Sequence, residues 1–212
     1  MDHKQNLSGV FAPITTPFFA DGTIDFDGLK RNMERYAKSP LKGYLALGSN
    51  GENKSMLTEE KLRVLEIIVE NKGAHQVVMT GCIAESTFET IGIAKEACTI
   101  GTDYVTLLSP NYFKKQMTDA ALLKYFTDVA DSVDKPCLAY CAPQFTGGIT
   151  LSNSLVKQLA AHPNIVGMKD SSTGNIDGYL MAAPKDFCVM AGSANFFLSA
   201  LIGGATGGVI SL

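Results

Sequence analysis

Eight strand–helix units closing into a parallel (β/α)8 TIM barrel of the α/β class are predicted by three features of this sequence. Its strand segments are near-continuous apolar runs, such as Tyr104-Val105-Thr106-Leu107-Leu108, the pattern of a parallel sheet covered on both faces. These runs alternate strictly with segments of helical apolar spacing, joined by short loops. The first strand–helix junction carries Pro13 and Pro17, where an open doubly wound sheet would usually show a glycine-rich phosphate fingerprint.

The first strand lies early in residues 10–18, because Pro13 and Pro17 cannot pair as interior strand residues. Asp21-Gly22-Thr23 is a turn, and Asp25 caps a helix over residues 26–37 with Leu29, Met33 and Tyr36 on its apolar face. Residues 43–48 form the second strand and empty into the loop Ser49-Asn50-Gly51-Glu52. Thr58 is the expected cap of the next helix, where Leu62, Leu65, Ile68 and Val69 recur at helical spacing. Residues 77–81 are the third strand, and Ser86 and Thr87 cap a helix that runs to residue 100 and stops at Gly101. The fourth strand (104–108), a helix (118–133), the fifth strand (137–140) and a helix (151–160) follow. The lysine-bearing sixth strand then leads to a short helix (176–182), a seventh strand (187–190), a helix (193–202) and an eighth strand (208–212). Barrels of this kind typically reach about 250 residues. The chain therefore reads as a single barrel domain over residues 1–212 that is C-terminally incomplete, with the last barrel helix and the C-terminal helices missing.

Composition narrows the function. A length of 212 residues gives room for one sizeable core. A net charge of −3 without a basic stripe argues against a nucleic-acid partner, and no apolar run reaches membrane-spanning length. The five cysteines (Cys82, Cys98, Cys137, Cys141 and Cys188) lack a Cys-x-x-Cys pair and sit in apolar surroundings. They read as reduced thiols of a cytoplasmic protein. His3, His75 and His162 show no metal-ligand spacing, so neither a metal site nor a histidine-based triad is expected.

The chemistry centres on Ile165-Val166-Gly167-Met168-Lys169-Asp170, an apolar strand running straight into a lysine, a residue seldom buried. A desolvated ammonium loses proton affinity, and the free amine attacks carbonyl carbon to form a Schiff base. The bland alternative is a strand-end lysine paired with Asp170 or lying on the surface. In a parallel barrel, residues just past the C-terminal strand ends share one rim, and active sites form there. That rim gathers Thr16, Ser49, Asn50, Gly51, Tyr112, Tyr140, Lys169 and Gly192. The Ser49 hydroxyl, the Asn50 amide and the N–H groups of a Gly-flanked turn suit a carboxylate, although the same five-residue loop also reads as an ordinary tight turn. Tyr140 ends the strand before the lysine strand. Its hydroxyl either relays protons or only wets the tip of a packed ring. Glu52 reads as a loop-stabilising carboxylate.

Four motifs in this order carry a family resemblance. They are Gly48-Ser49-Asn50-Gly51-Glu52, Tyr140-Cys141-Ala142-Pro143, Val166-Gly167-Met168-Lys169-Asp170 and the glycine-rich stretch 203–211. From about Gly9 onward the chain resembles the pyruvate-dependent class I aldolase family of dihydrodipicolinate synthase and N-acetylneuraminate lyase. The motifs match its carboxylate loop, its Y-x-x-P segment, its lysine strand and its last strand. The resemblance implies a lyase that uses a covalent imine on Lys169 and no metal or organic cofactor. It implies that Ser49, Asn50 and Gly51 hold the carboxylate of pyruvate, with Thr16, Gly192 and Ile210 in the substrate site. Tyr140 would act as acid and base. Tyr112 would join a proton relay across a subunit interface, completed by the hydroxyl of Ser49 or Thr16, in a homo-oligomer (dimer or tetramer).

Departures from the family pattern set the subclass. Synthase members carry an arginine two residues after the Y-x-x-P proline, where it binds the second substrate's carboxylate. Phe145 stands at that position, and a phenyl ring cannot make a bidentate carboxylate contact. The Ser49-Asn50 pair, the stretch 162–171 and Ala191-Gly192-Ser193 look more like 4-hydroxy-2-oxoglutarate aldolase. The expected activity is carbon–carbon cleavage or condensation between pyruvate and an aldehyde, through a 4-hydroxy-2-oxo acid. Two alternatives stand beside it: dihydrodipicolinate synthase acting on pyruvate and aspartate semialdehyde, and a catalytically silent barrel serving as a ligand sensor or scaffold.

Overall fold

In the computed structural model, which describes residues 2–211, eight parallel strands close into a barrel in the order β1 to β8. They are β1 (Gly9–Pro13), β2 (Gly43–Ala46), β3 (Val77–Gly81), β4 (Tyr104–Leu108), β5 (Cys137–Cys141), β6 (Ile165–Asp170), β7 (Cys188–Ala191) and β8 (Gly207–Val209). The ring closes where Gly9, Val10 and Phe11 of β1 pair with Gly207, Gly208 and Val209 of β8. Seven helices fill the connections: α2 (Phe26–Tyr36), α3 (Thr58–Asn71), α4 (Thr87–Ile100), α5 (Asp119–Asp131), α6 (Asn153–Leu159), α7 (Ile176–Ala182) and α8 (Phe197–Ile202). The predicted fold class is borne out.

Most helix starts follow from side-chain caps. Asp25, Ser86, Thr118 and Ser152 each accept the backbone N–H three residues on, which removes an orphan donor and stabilises each helix by about 1 kcal/mol. Other boundaries differ from expectation. Thr58 is the first residue of α3 and Leu57 holds the cap position, with the Glu60 carboxylate accepting the Leu57 N–H at 2.7 Å. Ala194–Phe196 wind as a 3-10 turn ahead of α8. Strand β8 stops at Val209, so Ile210 and Ser211 lie past it, and the expected strand end at Leu212 falls outside the described residues. A further helix, α1 (His3–Leu7), precedes β1. Five residues are too few to show helical periodicity, which hid it from a sequence reading. It carries Leu7 into the barrel interior and brings His3 Nδ1 to 3.1 Å from the Tyr104 hydroxyl.

Apolar side chains separate into three clusters. The largest lies between sheet and helices and includes Leu29, Leu65, Phe126 and Leu155. A second fills the barrel with Leu7, Phe11, Leu45, Met79, Tyr104, Leu138, Cys188, Met190 and Val209. The third sits at the mouth formed by the C-terminal strand ends: Ile83, Leu108, Tyr140 and Ala142. All five cysteines are free, and only Cys98 is less than fully buried.

One irregularity governs the site. Cys137 on β5 pairs with Ile165 on β6, but the next residue, Leu138, pairs with Gly167, so Val166 is an extra residue in β6. A one-residue bulge reverses the facing of every side chain beyond it. Val166 packs against the barrel interior, so simple alternation would turn Met168 inward and Lys169 out. With the bulge, Gly167 and Lys169 align with the inward-facing Cys188 and Met190, while Met168 joins the helix-side core. Gly167 is required at this step, because a Cβ there would collide with the Cys188 carbonyl oxygen and stand 3.0 Å from Leu138 Cδ2. Gly167→Ala is expected to cost about 1–3 kcal/mol by overpacking. That should lower the melting temperature by about 2–12 °C for a chain of this size. Thermal unfolding followed by circular dichroism would read it, and an unchanged midpoint would contradict the close approach.

Candidate active site

Lys169 is 5% exposed, and its Nζ lies 4.1 Å from the centroid of the Tyr140 ring, its register partner on β5. The ion pairs found among the described residues do not involve it. The face of an aromatic ring attracts a nearby cationic group, so the Tyr140 ring is the partner of the lysine head. Asp170 is not that partner. It faces the opposite side of β6, fully buried, with Oδ1 accepting the Ser172 N–H at 3.0 Å and the Ser172 hydroxyl at 2.6 Å. Burial pushes the Asp170 carboxyl above the usual carboxylate range, against those hydrogen bonds.

A cavity of about 230 Å³ opens over Lys169, and its walls include Ser49, Asn50, Tyr140, Gln144, Phe145, Ser171 and Gly192. The lysine stem fits because residue 192 has no side chain. A Cβ there would collide with Ser171 Oγ and stand 2.7 Å from the Asp170 carbonyl oxygen and 3.0 Å from Lys169 Cε. A cavity of about 450 Å³ lies at the other end of the barrel, lined by residues of α1 and of the segment joining α6 to β6. It holds none of these groups.

The loop after β2 is strained where it meets the cavity. Leu47 and Glu52, at φ of 54° and 55°, are the non-glycine residues with positive φ among the described residues, and they bracket Ser49-Asn50-Gly51. Left-handed backbone costs an L-residue about 1–2 kcal/mol, so the surroundings must hold it. Asn53 donates its amide to the Leu47 carbonyl at 2.8 Å, and Thr16 donates its hydroxyl to the Gly51 carbonyl at 2.7 Å. The result is a 3-10 turn that presents Ser49 and Asn50 to the cavity.

Ser49, Asn50, Tyr140, Lys169 and Gly192 thus converge as the sequence suggested. Thr16 and Gly51 stand behind them, the Thr16 hydroxyl committed to the loop. Ile210 departs from expectation. It packs toward the helix-side core, and its neighbours Val209 and Ser211 line the cavity instead, as alternation along an extended chain requires. Tyr112 does not enter the cavity of its own chain. It is 79% exposed, with its ring edge-on to Phe113 at 5.0 Å and its N–H donated to Glu85 Oε2 at 2.9 Å.

Besides Val209 and Ser211, three residues escaped the sequence reading. Ser171 was legible in principle, two positions after Lys169 and so on the same face. Gln144 was not, because it lies in a 3-10 turn after β5. Glu85 organises the Asn111-Tyr112 loop. Burial alone would raise its pKa, but the N–H groups of Tyr112 and Asn111 and the Lys54 ammonium at 3.5 Å together hold it below the usual range.

Comparison with known proteins follows the same lines. The Dihydrodipicolinate synthetase family matches residues 6–212. A probable mitochondrial 4-hydroxy-2-oxoglutarate aldolase of Emericella nidulans is 35% identical over 98% of this chain and 69% of its own length. The 4-hydroxy-tetrahydrodipicolinate synthase of Methanothrix thermoacetophila is 35% identical over 94% of this chain and 67% of its own. Among solved structures, a prophage protein of the dihydrodipicolinic acid synthase family from E. coli K12, in complex with pyruvate, superposes with a TM-score of 0.88. It is 28% identical, over 96% of this chain and 69% of that one.

Replacing the strained Glu52 tests the loop's energetics. Glu52→Gly relieves left-handed strain against glycine's larger entropy loss, a net gain of up to about 1 kcal/mol. Scanning calorimetry should show a midpoint raised by about 1–4 °C. A lowered midpoint would mean that the Glu52 side chain contributes more than its backbone strain costs.

Proposed function

Because the chain belongs to the dihydrodipicolinate synthetase family, we propose that it is a Schiff-base aldolase that cleaves or forms a 4-hydroxy-2-oxo acid, with pyruvate as the nucleophilic fragment. The observation that carries this reading is the inward-turned, buried Lys169 beside Tyr140, in one cavity with Ser49 and Asn50. The 4-hydroxy-2-oxoglutarate aldolase relative and the phenyl ring of Phe145 in place of an arginine favour it over dihydrodipicolinate synthesis. The presence of Lys169, Tyr140 and Ser49 together weighs against a silent scaffold.

In the cleavage direction, Lys169 Nζ attacks C2 of the 2-oxo acid, and loss of water leaves an iminium. The Ser49 hydroxyl and Asn50 amide hold the C1 carboxylate. Tyr140 Oη, having given its own proton to the hydroxyl that leaves as water, takes the proton of the C4 hydroxyl as the C3–C4 bond breaks. The electron pair of that bond passes to C3, giving an enamine whose charge the iminium nitrogen absorbs, and the aldehyde departs. Protonation of C3 and addition of water to the imine release pyruvate and the free amine. The iminium supplies the electron sink that a metal or organic cofactor supplies elsewhere. We assign Tyr112 to the relay of an adjacent subunit in a homo-oligomer, which its exposure on its own chain suits. We place the protein in the cytoplasm, where its free thiols stay reduced.

Intact-mass spectrometry after addition of pyruvate and borohydride is the test. Wild-type protein should carry one reduced pyruvate adduct and Lys169→Arg none. Tyr140→Phe should still form the adduct but lose about 10²–10⁴-fold in carbon–carbon cleavage rate. An adduct that persists in Lys169→Arg, or that is absent from folded wild type, would overturn the assignment.

A further inference from the structure

Among the described residues, Lys169 and Asp170 are the buried members of the lysine, arginine, aspartate and glutamate set, 5% and 0% exposed. They are neighbours in sequence and stand back to back on β6. Lys169 faces the cavity, and Asp170 shares the helix side of the sheet with Met168 and its register partner Cys141. Charged side chains are seldom buried without compensation. Neither takes part in the ion pairs found among the described residues. The described walls of the cavity over Lys169 carry no carboxylate of their own.

The surroundings of Asp170 hold it in place but do not neutralise it. Oδ1 accepts from the Ser172 N–H and hydroxyl, and Asn175 donates to Ser172 Oγ at 2.9 Å, which ties the group to the segment leading into α7. Oδ2 is buried and makes no hydrogen bond of ordinary geometry. The partner on β7 is Ala191, which does not ionise. The titratable groups on the neighbouring elements are the Cys141 thiol of β5 and the Tyr179 hydroxyl of α7, 3.5 Å from each other. Burial raises the pKa of both, so both are neutral at pH 7. Burial also raises the Asp170 carboxyl, and a positive charge on Lys169 is among the influences that pull it back. Such coupling is mutual: an ionised Asp170 favours positive charge at Lys169 Nζ to the same degree.

The chemistry puts a positive charge at that atom, on the reading of Lys169 as the Schiff-base residue. The free amine, the 2-oxo group and one proton from Tyr140 give the iminium and one water. The Nζ–C2 bond forms, the C2–O bond breaks, and a charge appears where the amine had none. Only the protonated iminium draws in the C3–C4 electron pair; the neutral imine is a poor sink. On the cavity side the titratable group facing Nζ is Tyr140, whose phenolate is consumed when it takes the C4 proton. We propose that Asp170, across the strand, is the standing counter-charge that keeps the Lys169 imine protonated. It touches no substrate atom and is therefore a positioning residue, acting on the charge of the intermediate through β6.

Cyanoborohydride reduces the protonated iminium and spares the neutral imine, so its rate of trapping the pyruvate adduct follows the iminium proton. The rate is measured against pH on wild type, Asp170→Asn and Ser172→Ala, with borohydride, which reduces both forms, in parallel. Asp170→Asn should move the alkaline fall of the cyanoborohydride rate down by about 0.5–1 pH unit while the borohydride adduct persists. Ser172→Ala loosens the same segment but keeps the carboxylate, and should leave the profile in place. An unmoved profile in Asp170→Asn, or an equal shift in Ser172→Ala, overturns the proposal. Should Asp170→Asn not fold, carbon-13 NMR of labelled aspartate decides. The Asp170 carboxyl should then titrate about 0.5–1 unit higher in Lys169→Met than in wild type, and an equal value in the two overturns the coupling. Absence of the borohydride adduct from folded wild type sinks the Schiff-base reading itself.

Discussion

An amine can be kept inside the mouth of this barrel only because β6 is one residue out of step with β5. The extra residue at Val166 turns Lys169 from the helix layer to the interior, and the missing side chain at Gly167 lets β7 stay close enough to pair through the irregularity. A second glycine, Gly192, leaves the volume that the lysine stem occupies. The π-face of Tyr140 then lies against the lysine head.

The rest of the mouth is arranged around that amine in two unlike halves. On one side, the strained turn between Leu47 and Glu52 is pinned by Thr16 and Asn53, which exposes polar groups to a small anion. On the other side, Ile83, Leu108 and Phe145 offer apolar surface. The polar groups of the turn and the apolar groups of the opposite wall thus face each other across the lysine. Strain held by hydrogen bonds in the turn costs stability but removes the need to order the loop when ligand arrives.

Much of this was legible in the chain. Strand identity follows from apolar runs, helix starts from Asp25, Ser86 and Thr118, and the convergence of Ser49, Asn50, Tyr140, Lys169 and Gly192 from the rule that parallel strands share one C-terminal rim. What the chain left unread had physical reasons. Helix α1 is too short to carry a period. Thr16 is on the rim, but its hydroxyl is consumed by the Gly51 carbonyl. Ile210 has the opposite facing from Val209 and Ser211, a parity that cannot be read when the strand end is misplaced by three residues. The Tyr112 N–H meets Glu85, a partner 27 residues away that no local pattern announces.

By itself, then, the sequence determined the eightfold parallel barrel and the set of residues that gather at its mouth, because periodicity and chain order are local and survive without coordinates. Only the tertiary structure decided which way Lys169 points. Facing along β6 depends on how that strand pairs with β5, and a bulge is a property of two strands together: nothing in Ile165-Val166-Gly167-Met168-Lys169 alone states that Val166 is skipped. The same holds for the apolar cluster of Ile83, Leu108, Tyr140 and Ala142 at the mouth, whose members come from three different strand ends and meet only when the barrel closes.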